Sequence, residues 1–255
     1  MKILALDTAT EACSAALAIG GEVVERYEVL GRGHAERLLP MVQEVLAEAG
    51  VALAALDAIA FGRGPGSFTG LRIGAGVAQG LAFGAGLRVL PVSDLAALAA
   101  RAARLHETRC VLACLDARMS QVYWAAFDCA DADAPVALTP EAVANPDDVW
   151  LPGVTGDAPV PPFRRPVAPR AEAGRGGPEY PPFFGAGHGF SAYPALHTLL
   201  GERLAGCDPG LLPHAREVAL IGAREFARGS AVDPELAVPV YLRDQVAHKK
   251  GLTPP

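Results

Sequence analysis

Apolar and polar residues alternate along the first hundred residues in patterns that distinguish strands from helices. Short apolar or alternating runs predict five strands, at 3–6, 13–19, 22–29, 56–61 and 89–90. Apolar positions three and four residues apart predict three helices, at 34–49, 70–83 and 94–104. The predicted order is therefore three strands, a helix, a strand, a helix, a strand and a helix.

A second copy of this pattern begins near residue 106. Residues 111–116 form an apolar run that ends in aspartate, as residues 3–7 do, and residues 121–127 follow as a second strand. Residues 152–182 are rich in proline, glycine and arginine, which predicts a surface excursion. A helix is predicted at 211–228, and an extended piece at 238–244.

This order is that of the ribonuclease-H-like half that actin, hexokinase and Hsp70 chaperones each contain twice. We therefore predict an α/β fold of two ribonuclease-H-like halves (the ASKHA fold), with mixed sheets flanked by helices. The first subdomain spans residues 1–105. The second spans residues 106–255 and carries the excursion and the C-terminal segment, whose helix is free to pack back on the first.

Glycine is concentrated where the fourth strand meets the second helix. Four glycines lie between or beside two arginines and two possible helix caps: Gly62, Gly64, Gly66, Gly70, Arg63, Arg72, Ser67 and Thr69. A glycine loop that opens a helix can bind an anion through its free N–H groups. It can equally be a tight strand-to-helix turn, and residue type alone leaves both interpretations open.

The known nucleotide motifs do not fit this loop. No Lys-Ser/Thr follows its last glycine, which excludes a P-loop, and Gly64-x-Gly66-x-x-x-Gly70 misses the dinucleotide fingerprint. Ser67 stands in Gly-Ser-Phe-Thr-Gly, which is not the nucleophile elbow of a hydrolase. We therefore predict no catalytic residue and no cofactor.

Asp7 and Thr8, at the end of the first strand, are the candidates for nucleotide binding. Asp7 matches the position where actin-like folds place an acidic residue near a nucleotide-bound metal. Glu11 would repel a phosphate here, and an aspartate at a strand end commonly caps backbone N–H groups instead. Asp116 has the same two interpretations.

Composition narrows the classes of function. The chain has 255 residues, a net charge of −6 and no basic tract, which argues against autonomous nucleic-acid binding. Its five cysteines form no CxxC pair, which fits buried thiols in a reducing cytoplasm. The uncharged run at 73–87 is shorter than the ~20 residues that span a bilayer, so we predict no membrane segment.

The loop and several other segments resemble the TsaB family, also called YeaZ. The similar segments are 6–8, 34–40, 63–74, 116–118, 122–124 and 239–243. The resemblance implies a non-catalytic subunit of the complex that makes N6-threonylcarbamoyladenosine (t6A) in tRNA. It implies that the chain binds and activates TsaD, which transfers threonylcarbamoyl to the adenosine beside the anticodon. It also implies that the ATPase TsaE joins the two proteins and that the chain reaches tRNA through the complex.

The resemblance also bears on metal binding. TsaD carries two histidine ligands, four residues apart, after a Pro-Val pair. Pro91-Val92 is followed here by Asp94 and Leu98 at the matching positions. Leucine cannot ligate a metal and a single carboxylate is a poor site, so we predict no metal.

Two helical faces are the predicted partner interface. Gly76, Gly80 and Gly84 share one face of the second helix. The first helix adds an apolar face of Leu38, Met41, Val42 and Val45. The resemblance implies that these helices bundle with the matching pair of TsaD, or with a second copy when TsaD is absent. Alternatively, the glycine face packs on this protein's own sheet.

A different class of function stays open. An actin-like fold could serve a nucleotide-dependent phosphotransferase that acts on a small molecule. A nucleotide-dependent dehydrogenase is a third alternative. ATP hydrolysis by the purified chain, with and without magnesium, separates the partner subunit from the phosphotransferase.

Overall fold

The computed structural model describes residues 1–153 and 180–243. Most of the predicted excursion and the last twelve residues lie outside this range. Within it, two mixed β-sheets are flanked by helices, and the predicted α/β fold of two ribonuclease-H-like halves is confirmed.

The first sheet has the strand order β3-β2-β1-β4-β5. Its strands are β1 (Lys2–Asp7), β2 (Ala12–Ile19), β3 (Glu22–Val29), β4 (Ala58–Gly62) and β5 (Arg88–Val92). The first three are antiparallel, and β4 and β5 run parallel to β1. The hairpin turns through Gly20 and Gly21, both at positive φ, as their sequence predicts.

The second sheet repeats this topology, in the order β11-β10-β6-β7-β8. Its strands are β6 (Cys110–Arg118), β7 (Gln121–Asp128), β8 (Val136–Ala137), β9 (Ala142–Ala144), β10 (Phe183–Ala186) and β11 (Leu204–Asp208). The central strand β6 has antiparallel β7 on one side and parallel β10 on the other, as β1 has β2 and β4. The internal repeat predicted from the two apolar runs that end in aspartate is therefore confirmed.

The described helices are α1 (His34–Glu48), α2 (Phe68–Ala85), α3 (Asp94–His106), α4 (Gly189–Ala192), α5 (Ala195–Leu200) and α6 (Ala215–Ala227). Helices α1 and α2 cover the outer face of the first sheet. Helices α3 and α6 lie in the core that the two sheets share. Among these helices, none is both long and apolar enough to cross a membrane.

Helix α6 begins later than predicted, because Pro213 disfavours helical backbone at the residue before it. It packs on β1, β2, β4 and β5, so the last of the described helices lies on the first sheet. Gly222 permits this contact: a Cβ there would lie 2.8 Å from the Ala60 Cβ. The division of the chain at residue 105 stays a prediction.

Replacing Gly222 with valine should therefore destabilise the fold. The added side chain has to displace α6 from β4, and overpacking of this kind costs about 1–3 kcal/mol. Urea unfolding of both proteins measures the difference. The matched control is Gly80→Val, where nothing lies within 4 Å of the added Cβ and the change should stay within about 0.5 kcal/mol. Equal stabilities for the two variants would contradict this packing.

Candidate functional site at the cleft between the halves

The candidate site is the cleft where the central strands of both sheets end. Its volume is about 790 Å³. The first half contributes the turn after β1 and the glycine loop, defined as residues 62–70 between β4 and α2. The second half contributes the turn between β6 and β7 and the residue His188 after β10. Strand ends of this kind commonly bind ligands in α/β proteins.

The glycine loop lies directly on the turn after β1. A Cβ at Gly66 would overlap the Ala9 carbonyl oxygen, and one at Gly70 would overlap that of Thr8. At Gly74, in the first turns of α2, a Cβ would lie 2.7 Å from the Thr8 Oγ1. Close packing of two backbones is therefore what these glycines provide.

Backbone N–H groups of this loop already have acceptors within the protein. The Arg63 N–H donates to the Val92 carbonyl, and the Gly64 N–H donates to the Asp94 Oδ2. The Ser67 N–H donates to the Ala9 carbonyl, and the Gly70 N–H donates to the Ser67 Oγ. Ser67, rather than Thr69, is the N-cap of α2. For these four N–H groups, the structure favours the tight-turn interpretation over the anion site.

The two nucleotide-binding candidates point inward. Asp7 and Thr8 are each 2% exposed. The Asp7 Oδ1 accepts a hydrogen bond from the Ala9 N–H at 2.8 Å, and the Thr8 hydroxyl donates to the Gly70 carbonyl at 2.8 Å. The capping role considered for Asp7 is therefore confirmed, and neither side chain lines the cleft.

Asp7 forms a buried carboxyl pair with Asp94, the first residue of α3. The Asp94 Oδ2 accepts from the Gly64 N–H, and its Oδ1, like the Asp7 Oδ2, has no other partner among the described groups. A hydrogen bond between these two oxygens requires a proton on one of them. Burial raises the pKa of Asp7 to about 6. Burial and the adjacent Asp7 carboxylate raise the pKa of Asp94 well above its usual range.

The residues that match the metal ligands of TsaD lie apart from the cleft. Asp94 is engaged as just described, and Leu98 is fully buried, with its Cδ2 against Gly187. Within residues 1–153 and 180–243, no three histidine, cysteine, aspartate or glutamate side chains converge as metal ligands.

Asp116 occupies the position in the second half that Asp7 has in the first. Its Oδ1 accepts from the Arg118 N–H at 2.8 Å and from the Tyr193 hydroxyl at 3.0 Å. Its Oδ2 forms an ion pair with the Arg118 guanidinium at 3.1 Å. The backbone cap is therefore confirmed here as well, but this aspartate is balanced by a cation rather than by a second carboxyl group.

Sequence reasoning missed His188, which lies in the cleft between the first and the second half. Its Nδ1 accepts from the Asp116 N–H at 3.0 Å, so the ring proton is on Nε2. The Nε2 faces the Glu11 Oε2 on the opposite wall, 3.8 Å away. Burial lowers the pKa of His188, which favours the neutral ring. The signal available in the sequence was a glycine pair, Gly187 and Gly189, placed after β10 as the glycine loop is placed after β4.

Sequence reasoning also missed how the C-terminal segment ties the halves together. Val240 donates its N–H to the Arg63 carbonyl at 2.7 Å. Three residues later, the Arg243 guanidinium donates to the Oε1 of Gln121, the first residue of β7, at 2.5 Å. The Arg63 side chain pairs with Glu141 of the second half at 3.1 Å. The mouth of the cleft is thus held from both sides.

The predicted partner residues divide into two groups. Gly76, Gly80 and Gly84 are exposed, and nothing lies within 4 Å of a Cβ built at any of them. The alternative that this glycine face packs on the protein's own sheet is therefore wrong. The prediction that the apolar face of α1 contacts a partner was wrong. Its four residues are at most 3% exposed because they pack on the first sheet: Leu38, Met41, Val42 and Val45.

Replacing Asp94 with asparagine should weaken the pH dependence of stability. The raised pKa values mean that the folded state binds more protons than the unfolded state, so wild-type stability falls as pH rises from about 4 through the folded pKa values. The side-chain amide of Asp94→Asn can donate to the Asp7 Oδ2 without a shared proton. We expect the variant to gain on the order of 2 kcal/mol over wild type as the pH rises from about 4 through the folded Asp7 pKa of about 6.

Urea unfolding at a series of pH values measures this difference. Asp147→Asn is the matched control, because Asp147 is exposed and the same chemical change is made there. A variant at Asp94 whose stability falls with pH as steeply as that of wild type would contradict the shared proton.

The comparison with protein families identifies a domain that spans most of the chain. A family model described as "TsaD: tRNA N6-adenosine threonylcarbamoyltransferase" matches residues 28–250. The match covers the glycine loop, Asp94 and the second half of the cleft, and it begins after the turn that follows β1.

Individual proteins narrow this assignment. The tRNA threonylcarbamoyladenosine biosynthesis protein TsaB of Escherichia coli (strain K12) is 40% identical over 252 residues, or 98% of each chain. The protein of the same name from Haemophilus influenzae is 56% identical over 124 residues, 49% of this chain and 52% of that protein. The solved structure of YeaZ from Pseudomonas aeruginosa has a TM-score of 0.79 and 44% identity, and covers 94% of this chain and 99% of that one. The resemblance seen in the glycine loop is thus confirmed, and the chain belongs to the TsaB (YeaZ) family.

Proposed function

We propose that this chain is a non-catalytic subunit of the complex that synthesises N6-threonylcarbamoyladenosine in tRNA, and that it binds and activates TsaD. The names of its relatives supply the pathway. The observation that carries the partner role is the exposed face of α2. TsaE is the expected third member, tRNA is reached through the complex, and the cytoplasm is the expected compartment.

The exposed face of α2 is suited to a second helix. Gly76, Gly80 and Gly84 follow one another at intervals of four residues, and Phe83 beside them is 82% exposed. Each glycine costs a helix about 1 kcal/mol relative to alanine. No contact within the described chain offsets that cost, whereas close approach by a partner helix would, as small-residue seams do elsewhere.

Helix α1 would contribute through its outer side only. Leu39 is 43% exposed, whereas the predicted face around Leu38 is part of the core. The corrected surface therefore consists of the α2 glycine face, with Phe83, and the exposed flank of α1. A second copy of the chain could cover the same surface in the absence of TsaD.

The non-catalytic role is supported by the closed state of the strand end. The Asp7 carboxyl is buried beside Asp94, and the Thr8 hydroxyl donates to the Gly70 carbonyl. A nucleotide would have to displace the glycine loop to reach either group. The phosphotransferase alternative requires that rearrangement, and ATP turnover by the isolated chain is the test for it.

Replacing Gly80 with leucine should abolish binding to TsaD while leaving the chain folded. The position is open, so the side chain fits the monomer but keeps a partner helix at a distance. Circular dichroism and co-purification with TsaD of the same organism measure the two properties. Ala227→Leu is the control, since it adds a similar side chain at an exposed position of α6. A folded Gly80 variant with normal binding would place the interface elsewhere.

Replacing Asp7 with asparagine should leave tRNA threonylcarbamoylation by the reconstituted complex within about tenfold of wild type. The amide oxygen can still accept from the Ala9 N–H, but the carboxylate is removed. A catalytic or nucleotide-metal role would instead cost about 10³-fold or more. Such a loss, in a variant whose folding and TsaD binding are normal, would favour the phosphotransferase alternative.

A further inference from the structure

An exposed stack of two aromatic rings and one guanidinium lies at the N-terminal end of α2. The Arg72 Cζ is 3.7 Å from the centre of the Phe68 ring and 5.9 Å from that of the Tyr241 ring. Its Nε donates to the Tyr241 hydroxyl at 3.0 Å. Phe68 is 48% exposed and Tyr241 is 40% exposed, so this stack is presented to the surroundings in a fixed arrangement.

The charge of Arg72 is unbalanced within residues 1–153 and 180–243. No carboxylate of this part of the chain forms an ion pair with it, whereas Arg26, Arg37 and Arg104 each pair with two. It is the only charged residue of α2, and the first turn of the helix has no acidic residue. The positive end of the helix dipole adds to the same potential. An acidic group is the complement that this end of α2 lacks.

The stack continues the glycine face. Phe68, Arg72, Gly76, Gly80 and Gly84 are separated by four residues each, and all are exposed. Residues at this spacing are neighbours along one side of a helix. The stack therefore lies at one end of the surface proposed above for the partner.

We infer that Arg72 is the electrostatic anchor of the partner interface and binds a carboxylate of the partner chain. This inference rests on the proposed function and adds the chemistry of the partner: a helix with small residues opposite the glycine face and an aspartate or glutamate opposite Arg72. No group among residues 1–153 and 180–243 accepts from the Arg72 Nη atoms, because the bond to Tyr241 uses Nε, and this leaves them for a two-pronged carboxylate contact. The two rings hold the guanidinium in place, and aromatic and arginine side chains dominate binding energy at interfaces.

An acidic protein surface fits this end of α2 better than RNA does. A phosphate chain would need further cations along the face, but beyond Arg72 the helix has only uncharged residues to its end. One side of the Phe68 ring is already covered by the guanidinium, which leaves less of the platform for a base. The partner's carboxylate needs only the single cation.

The test is the dissociation constant of the complex with TsaD of the same organism, measured at low and high salt. Arg72→Glu should weaken binding by at least about 30-fold, the level that defines an interface hot spot. Arg72→Gln should weaken it less and should also reduce its salt dependence. Arg228→Glu is the control: it makes the same charge change at the exposed residue that follows α6 and should bind normally.

A reciprocal change completes the test. An acidic-to-arginine substitution on the partner's helix should restore binding to Arg72→Glu and weaken binding to wild type. The anchor would be overturned if Arg72→Glu bound TsaD with wild-type affinity and salt dependence. It would also be overturned if the variant bound TsaD normally while the complex lost affinity for tRNA, because that result would assign the stack to RNA. If wild type itself does not bind TsaD, the proposed function fails. If Gly80→Leu abolishes binding and Arg72→Glu does not, only the anchor fails.

Discussion

The contact on which the rest of the site depends is the packing of the glycine loop against the turn after β1. Gly66 and Gly70 bring two backbones together at distances that no side chain permits. The Ser67 N–H then donates to the Ala9 carbonyl at 2.7 Å, and the Ser67 hydroxyl oxygen caps α2. The direction of α2, the burial of Asp7 and the shape of the cleft all follow from this contact.

The two halves share one topology, but the aspartate at the end of the first strand has a different electrostatic environment in each half. In the first half, the strand-end aspartate is enclosed beside Asp94, and burial raises the pKa of both carboxyl groups. In the second half, Asp116 forms an ion pair with Arg118, and its backbone N–H donates to the Nδ1 of His188. The Asp7 and Thr8 side chains are therefore buried away from the cleft, whereas Asp116, Arg118 and His188 of the second half line it.

Sequence periodicity could predict the strands and helices because each half is built from local patterns. It predicted that α1 is amphipathic, but not what its apolar side touches: Leu38 and its neighbours pack on the protein's own sheet, as apolar stripes usually do. The Asp7–Asp94 pair and the Val240–Arg63 bond join residues far apart in sequence, and no local pattern encodes them. His188 was missed because its role depends on Asp116, 72 residues away.

The glycine spacing along α2 was ambiguous for the same reason, because it does not tell which glycines contact the protein itself. The structure separates them by the direction in which each one faces. Along α2, Gly70 and Gly74 face inward onto Thr8, whereas Gly76, Gly80 and Gly84 face outward into open space. The inward glycines determine how closely α2 packs on the first half, and therefore how far its outward face projects from the surface. A larger residue at Gly70 would open the strand end and also tilt the outer face. Closure of the strand end and presentation of the outer glycine face are thus two consequences of one helix position.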